Sequence, residues 1–383
     1  MKLQTKIQFC IYFVVATFLC GNASGQSWDV DGFVTEMPSL TWSNNDDMVL
    51  DNLIHNRFNI NRNFNNGLSL DIGLRNRFLL GGTIKNDATY KYILASDPGV
   101  VDLSVNIFSG KGYVLNSHID RLTLSYDIGK VNTVVGRQRV EWGRGRVWNP
   151  NDIFNVYSFY DFDYRAKPGM DGVSVSFGNS DEARVDAVIK VDGNYDMTAA
   201  LRFQSQIKAL DFQLLSGLLN QSDYVFGFGW SYSMNHLKLF NETSIFATKD
   251  DFSSTNALVS LGAYYQKEKV RIGLEYLYSE FQQGEQGNIE DLFYGRTSIK
   301  NLSVSEHSYN LSFKYDFTEN FNSELDLIGF GYPLLQGGYL SSITNYSIKS
   351  NLQLSSIIQY YNQDWMLNQE SKGRFSIRLK KYF

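Results

Sequence analysis

The sequence predicts an all-β fold, a transmembrane antiparallel up-and-down β-barrel of about sixteen to eighteen strands behind a cleaved signal peptide. Three observations carry this: a secretory leader, period-two alternation repeated along the chain, and an amphipathic last strand that ends on Phe383.

The leader comes first. Lys2 and Lys6 give a basic start, Phe9 to Leu19 is apolar apart from Thr17, and Ala23-Ser24-Gly25 supplies small residues for cleavage. The apolar run is too short for a spanning helix, which needs about 20 residues. The boundaries predicted are residues 1–25 for the signal and 26–383 for one barrel domain. Lipid attachment at Cys20 is disfavoured because Leu19 stands where a small residue is wanted.

Alternation is the second observation. Leu68, Leu70, Ile72, Leu74, Phe78 and Leu80 share one face of a strand, and Ser69, Asp71, Gly73, Arg75 and Arg77 share the other. Tyr309 to Phe317 repeats the pattern. Further segments are Ile54–Phe64, Leu122–Ile128, Val173–Phe177, Val185–Val191, Ala199–Ile207, Leu210–Leu218, Tyr224–Met234, Ala257–Tyr265, Val270–Tyr278, Tyr346–Tyr360 and Phe375–Phe383. Less regular candidates are Trp28–Trp42, Val101–Ile107, Val131–Val140, Leu237–Ala247 and Glu324–Phe330. A soluble sandwich also alternates, but its apolar faces must meet in one core, and so many long strands are too much for one sandwich. Lipid outside and water inside satisfy the same pattern once the sheet closes on itself. The irregular stretches Gly81–Pro98, Gly143–Pro168, Gln282–Ser305 and Gly331–Ser341 are then the long outward loops.

The third observation is the end of the chain, where Phe375, Ile377, Leu379 and Phe383 share a parity. Outer-membrane barrels commonly finish in this way, and the likeness implies recognition by the barrel-assembly machinery, with outer-membrane lipids as the surrounding partner.

Composition narrows the function classes. Both cysteines, Cys10 and Cys20, lie in the leader, so the rest of the chain has no disulfide and no thiolate ligand. The four histidines are far apart, which predicts no metal site and no cofactor; Asp161 and Asp163 are a weak signal for calcium. The leader carries Lys2 and Lys6 and no acid, so its removal moves the formal charge from −5 to −7 and argues against a nucleic-acid partner. No nucleophile elbow, phosphate loop or dinucleotide fingerprint is present, and no enzyme is predicted. His118 with Ser117 and Asp120 is the one local cluster that a barrel-wall hydrolase would use, and adjacent strand residues point opposite ways.

One stretch is distinctive: Gly136-Arg137-Gln138, Trp142-Gly143, Trp148-Asn149-Pro150-Asn151-Asp152, Phe162-Asp163-Tyr164 and Pro168-Gly169. It resembles a segment of porin-like outer-membrane proteins of Bacteroidota, loosely related to alginate-export barrels, and covers about a sixth of the mature chain. The resemblance implies a channel or export conduit. Arg165-Ala166-Lys167 departs from it, because acidic residues are expected there.

Twelve of the sixteen arginines fall between Arg57 and Arg202. By parity Arg57, Arg75, Arg77, Arg121, Arg137, Arg139 and Glu141 are placed facing the lumen, with Arg144 and Arg146 beside them. Two readings stand. The guanidinium fork suits carboxylate and phosphate, so an anionic solute, such as acidic polysaccharide, is expected. Alternatively Arg121, Arg137 and Arg139 pair with Asp71, Asp127 and Glu141 and brace the wall. Trp148, Asn149, Asp152, Tyr160, Asp161, Asp163 and Tyr164 lie in an aromatic-rich loop too polar for a lipid-facing strand; an inward constriction is favoured over an interfacial girdle. Asn149 to Asp152 reads as a turn. An adhesin or purely structural barrel is the remaining alternative.

Overall fold

The structure is a computed structural model that describes residues 28–44, 48–64, 66–156, 159, 169–179, 182–280, 298–331, 335–362 and 371–383. The expected signal peptide lies outside the described residues, as do Tyr160, Asp161, Asp163, Tyr164 and the departure at Arg165 to Lys167.

The strands are β1 (Asp29–Ser43), β2 (Val49–Asn63), β3 (Leu68–Gly81), β4 (Ser104–Gly110), β5 (Tyr113–Ile128), β6 (Val131–Gln138) and β7 (Met170–Asn179). They continue as β8 (Ala183–Val191), β9 (Met197–Ile207), β10 (Leu210–Leu219), β11 (Asp223–Met234), β12 (Leu237–Thr248) and β13 (Asp251–Lys267). The last are β14 (Val270–Ser279), β15 (His307–Thr318), β16 (Phe321–Phe330), β17 (Gly337–Lys349), β18 (Leu352–Asn362) and β19 (Ser371–Tyr382). Two short helices, α1 (Gly82–Asn86) and α2 (Tyr90–Ala95), follow β3.

Every pairing is antiparallel, and β1 meets both β2 and β19, so the sheet closes. Of nineteen strands, all but β4 make a ring of eighteen, because β3 pairs directly with β5 while β4 takes the upper edge of β5 and β6 its lower edge. At one end the connections are short, most of them two-residue turns. Lys208, Asn235 and Glu268 open three of them with φ of 56°, 49° and 47°, the left-handed geometry whose twist matches an antiparallel hairpin. At the other end are the long connections 82–103, 139–169 and 280–306, which mark it as the outward-facing end.

Leu201, Leu214 and Leu274 are 59%, 51% and 55% exposed on the outer face, whereas Gln213 and Glu242 on the inner face are 1% and 0% exposed. An apolar outer band of this kind is untenable in water and satisfied in lipid, where closing the sheet pairs every backbone group of the wall. The chain is an integral, multi-pass outer-membrane β-barrel.

Three elements depart from the sequence reading. Tyr346–Tyr360 is two strands, β17 and β18, joined at Ser350–Asn351; a two-residue turn keeps the outward parity of Tyr346, Ile348, Leu354 and Tyr360, so the alternation runs on without a break. Val101–Ile107 becomes β4, outside the ring. Gly331–Ser341 is a shorter loop, since β17 already starts at Gly337.

Candidate functional site: a loop folded into the lumen

The chain leaving β6 does not stay outside. Its described part, residues 139–156, folds into the barrel, and Val140, Trp142, Val147, Trp148, Ile153 and Phe154 are all buried there. They form an apolar core with inward residues of the wall from Met170 on β7 to Tyr361 on β18. Trp142 and Phe154 meet edge to face at 5.0 Å, and the Arg202 guanidinium lies 5.1 Å over Trp142.

Side chains of the loop shape its backbone. The Gly145 N–H donates to Asn149 Oδ1 (2.8 Å), the Trp142 N–H to Asp152 Oδ1 (3.2 Å) and the Val140 N–H to Asn155 Oδ1 (2.9 Å). A Cβ at Gly143 would collide with Asn149 Oδ1, so this glycine is needed for a close approach. Trp148, Asn149 and Asp152 therefore serve the loop's own fold.

Wall residues then hold the loop in place. Glu242 on β12 is fully buried and accepts the N–H groups of Arg144, Gly145 (3.2 Å) and Asn151 (3.0 Å). Glu275 on β14 accepts those of Arg146 (3.2 Å), Val147 (3.1 Å) and Trp148 (3.4 Å), together with the Tyr264 hydroxyl. Two carboxyl groups thus sit in a concavity of successive backbone N–H groups and accept hydrogen bonds from them. Arg144 reaches Asp211 at 2.7 Å, and Arg146 pairs with Asp326 at 2.9 Å and with Glu324. Ser244 donates to Asn151 Oδ1 at 2.7 Å. Phe159 carries the Arg146 guanidinium at 5.3 Å.

The other predicted residues divide. Arg57 faces the lumen and is buried against Asp120 at 2.5 Å. Arg75 is directly opposite it on β3, and Arg77 donates to the Leu94 carbonyl and to Asn116, each at 2.9 Å. A bulge at Asp120 puts Arg121 opposite Gly73 on the lumen face. Arg139 pairs with Glu141, as the bracing reading has it.

Arg137 is corrected: it is the register partner of Leu122 and Asp171, and so has the outward parity of Val135 and Val173, although its guanidinium reaches within 3.3 Å of His118, the register partner of Arg75. Parity counted from Arg139 and Glu141 misled, because β6 ends at Gln138 and the alternation ends with it. The bracing partners are also corrected. Arg137 pairs with Asp97 (2.6 Å) and Asp171 (2.7 Å); Asp127 instead accepts from Asn132 and Asp71 from Thr123. Burial pushes the Asp97 carboxyl up, but His118, Arg137 and the Gly99 and Leu103 N–H groups outweigh it and hold Asp97 well below the usual carboxylate range. His118 lies 3.3 Å from Arg137 and 3.6 Å from Asp97.

Sequence reasoning missed Glu242 and Glu275, and also a cationic column on β19. Lys372, Arg374, Arg378 and Lys380 alternate with the outward Phe375, Ile377 and Leu379, a spacing that was open to reading. Arg374 reaches Thr41 on β1, and Arg378 reaches Ser355 on β18, each at 3.3 Å.

No protein-family model and no curated protein sequence matches the chain. Solved structures do. OccAB4 of Acinetobacter baumannii has a TM-score of 0.57 at 12% identity, covering 94% of this chain and 100% of that one. OccK1 (OpdK) of Pseudomonas aeruginosa has 0.59 at 10%, covering 93% and 98%. OpdK of the same organism, solved with vanillate, has 0.56 at 10%, covering 93% and 99%. At such identities the likeness is one of fold: a porin-like outer-membrane barrel.

Proposed function

We propose that the barrel is a channel for polar solutes that favours anions, carboxylate-bearing saccharides among them. The observation that carries this is transverse asymmetry. The loop and its apolar core sit against the wall from β7 to β18. The inward faces of β19, β2, β3 and β5, beyond that core, bear Lys372, Arg374, Arg378, Lys380, Arg57, Arg75, Arg77 and Arg121. Acids on those faces, and on the inward face of β1 between them, are fewer: Asp29, Asp31, Asp51, Asp71, Asp120 and Asp127, of which Asp120 is engaged by Arg57, Asp51 by Thr83, Asp31 by Asn59 and Asp127 by Asn132. A water-lined wall with a cation surplus draws in anions and repels cations. A structural neighbour solved with vanillate, itself an anion, is in keeping with the reading.

Reversal potentials across planar bilayers in a potassium chloride gradient test it. The native protein gives an anion-selective pore, and Arg374→Gln with Arg378→Gln lowers that selectivity. A cation-selective pore, or a bilayer that stays sealed, contradicts the proposal; a sealed one leaves the adhesin or structural reading.

A further inference from the structure

Arg137 lies one residue before the end of β6, and its register partner Asp171 lies one residue after the start of β7. The two residues flank the neck of the inward loop. Their contact is bidentate, Nε to Oδ1 at 2.7 Å and Nη2 to Oδ2 at 2.9 Å. The remaining donors go elsewhere. Nη1 reaches Asp97 (2.6 Å) and the Ile119 carbonyl of β5 (3.2 Å), and Nη2 reaches the Val101 carbonyl (2.7 Å).

Asp97 and Val101 belong to the segment between α2 and β4, which fills the wall where β6 and β7 fall short. Among the described residues β4 pairs only with β5, and the segment's links to the far side besides Arg137 are the Gly99 to Asp192 bridge, a Gly193 N–H to Pro98 carbonyl bond of 2.9 Å and a Val101 N–H to Asp171 Oδ2 bond of 3.2 Å. Upstream, α2 is held on the lumen side by Arg77 through the Leu94 carbonyl. The packing leaves no slack. A Cβ at Gly99 would collide with the Arg137 guanidinium, and one at Gly169 would come 2.7 Å from Arg137 Cγ.

We propose that Arg137 is a positioning residue that couples the mouth segment 82–103 to the neck of the inward loop, so that the two elements narrowing the lumen loosen together or not at all. The statement about lumen width rests on the channel reading; the coupling does not.

Arg137→Lys tests it in the folded barrel, because lysine keeps the charge but offers one nitrogen to partners that three nitrogens now serve. Amide exchange in residues 97–103 and 140–156 is expected to rise together by about tenfold or more, with β12 to β14 unchanged. Single-channel current then switches between levels that the native protein does not show. A rise in one segment alone, or in neither, overturns the coupling. Asp97→Asn serves if the lysine variant fails to assemble: it is expected to speed exchange in the loop as well as in its own segment, and an unchanged loop contradicts the proposal. A paired rise in a barrel that passes no current would sink the channel reading and leave the coupling standing.

Discussion

Glu242 and Glu275 set the loop's position by accepting backbone N–H groups, and the cost of losing either is the cost of leaving those donors buried and unpaired. Glu275→Ala strands the N–H groups of Arg146, Val147 and Trp148, at about 1–3 kcal/mol for each that finds no water, and is expected to speed their amide exchange and raise conductance. Glu275→Gln keeps an accepting oxygen and is expected to do much less. Asp97 gives a pH dependence with a definite sign. Its carboxyl is held below the ordinary value, so its contribution is present above the unfolded value of about 3.9 and is lost as pH falls through the lower folded one. Exchange protection of residues 97–103 is therefore expected to hold from pH 7 down to about 4 and to fail only in stronger acid. The loop residues Trp148, Asn149 and Asp152 were legible in the sequence, but their partners were not. A glutamate on a polar strand face looks the same whether it meets water or the backbone of a loop some ninety residues earlier in sequence, as Glu242 meets Asn151.

At the scale of the element, alternation located the strands but not every joint between them. It ran straight through the β17–β18 turn, and it placed Arg137 on the wrong face because counting continued past the end of β6. The Gly136-Arg137-Gln138 motif makes sense only with the register known. Gly136 has φ 114° and its added Cβ would strike the Leu122 carbonyl, while Gln138 accepts from Ser174 at 2.6 Å and donates to the Val134 carbonyl at 3.0 Å. Gly136→Ala is expected to lower the temperature at which the folded barrel gives up its compact mobility on gels, since both the backbone angle and the clash oppose it. The loop is an element with its own core, so Trp148→Ala, at 1% exposure, is expected to cost about 3–5 kcal/mol of loop packing. Loss of protection in residues 140–156, accompanied through Arg137 by residues 97–103 and with the strands intact, is the matching observation in exchange measurements.

For the whole molecule, one physical fact organises the rest: the outer face of the ring is apolar and the inner face beyond the loop is mostly polar, a small cluster of Met37, Leu53, Ile343 and Ile357 apart. That division was readable from Leu68 to Leu80 alone, because a period of two leaves each residue one face to occupy. Closure at eighteen strands was bounded by counting, and the inward loop that breaks the symmetry was visible only as aromatics in a segment too polar for lipid. Leu201→Arg places a charge on the lipid face and is expected to cost about 2–4 kcal/mol near the bilayer midplane, measured as a loss of folded barrel in vesicles. The most direct test uses single fluorescent labels on neighbouring residues of β9 in vesicles. Labels at Leu201 and Phe203 should be quenched by brominated lipid and shielded from a water-borne quencher, and a label at Gln204 should behave the opposite way. Lipid quenching at Gln204 with water quenching at Leu201 and Phe203 would contradict the barrel's orientation, and with it every lumen residue named above.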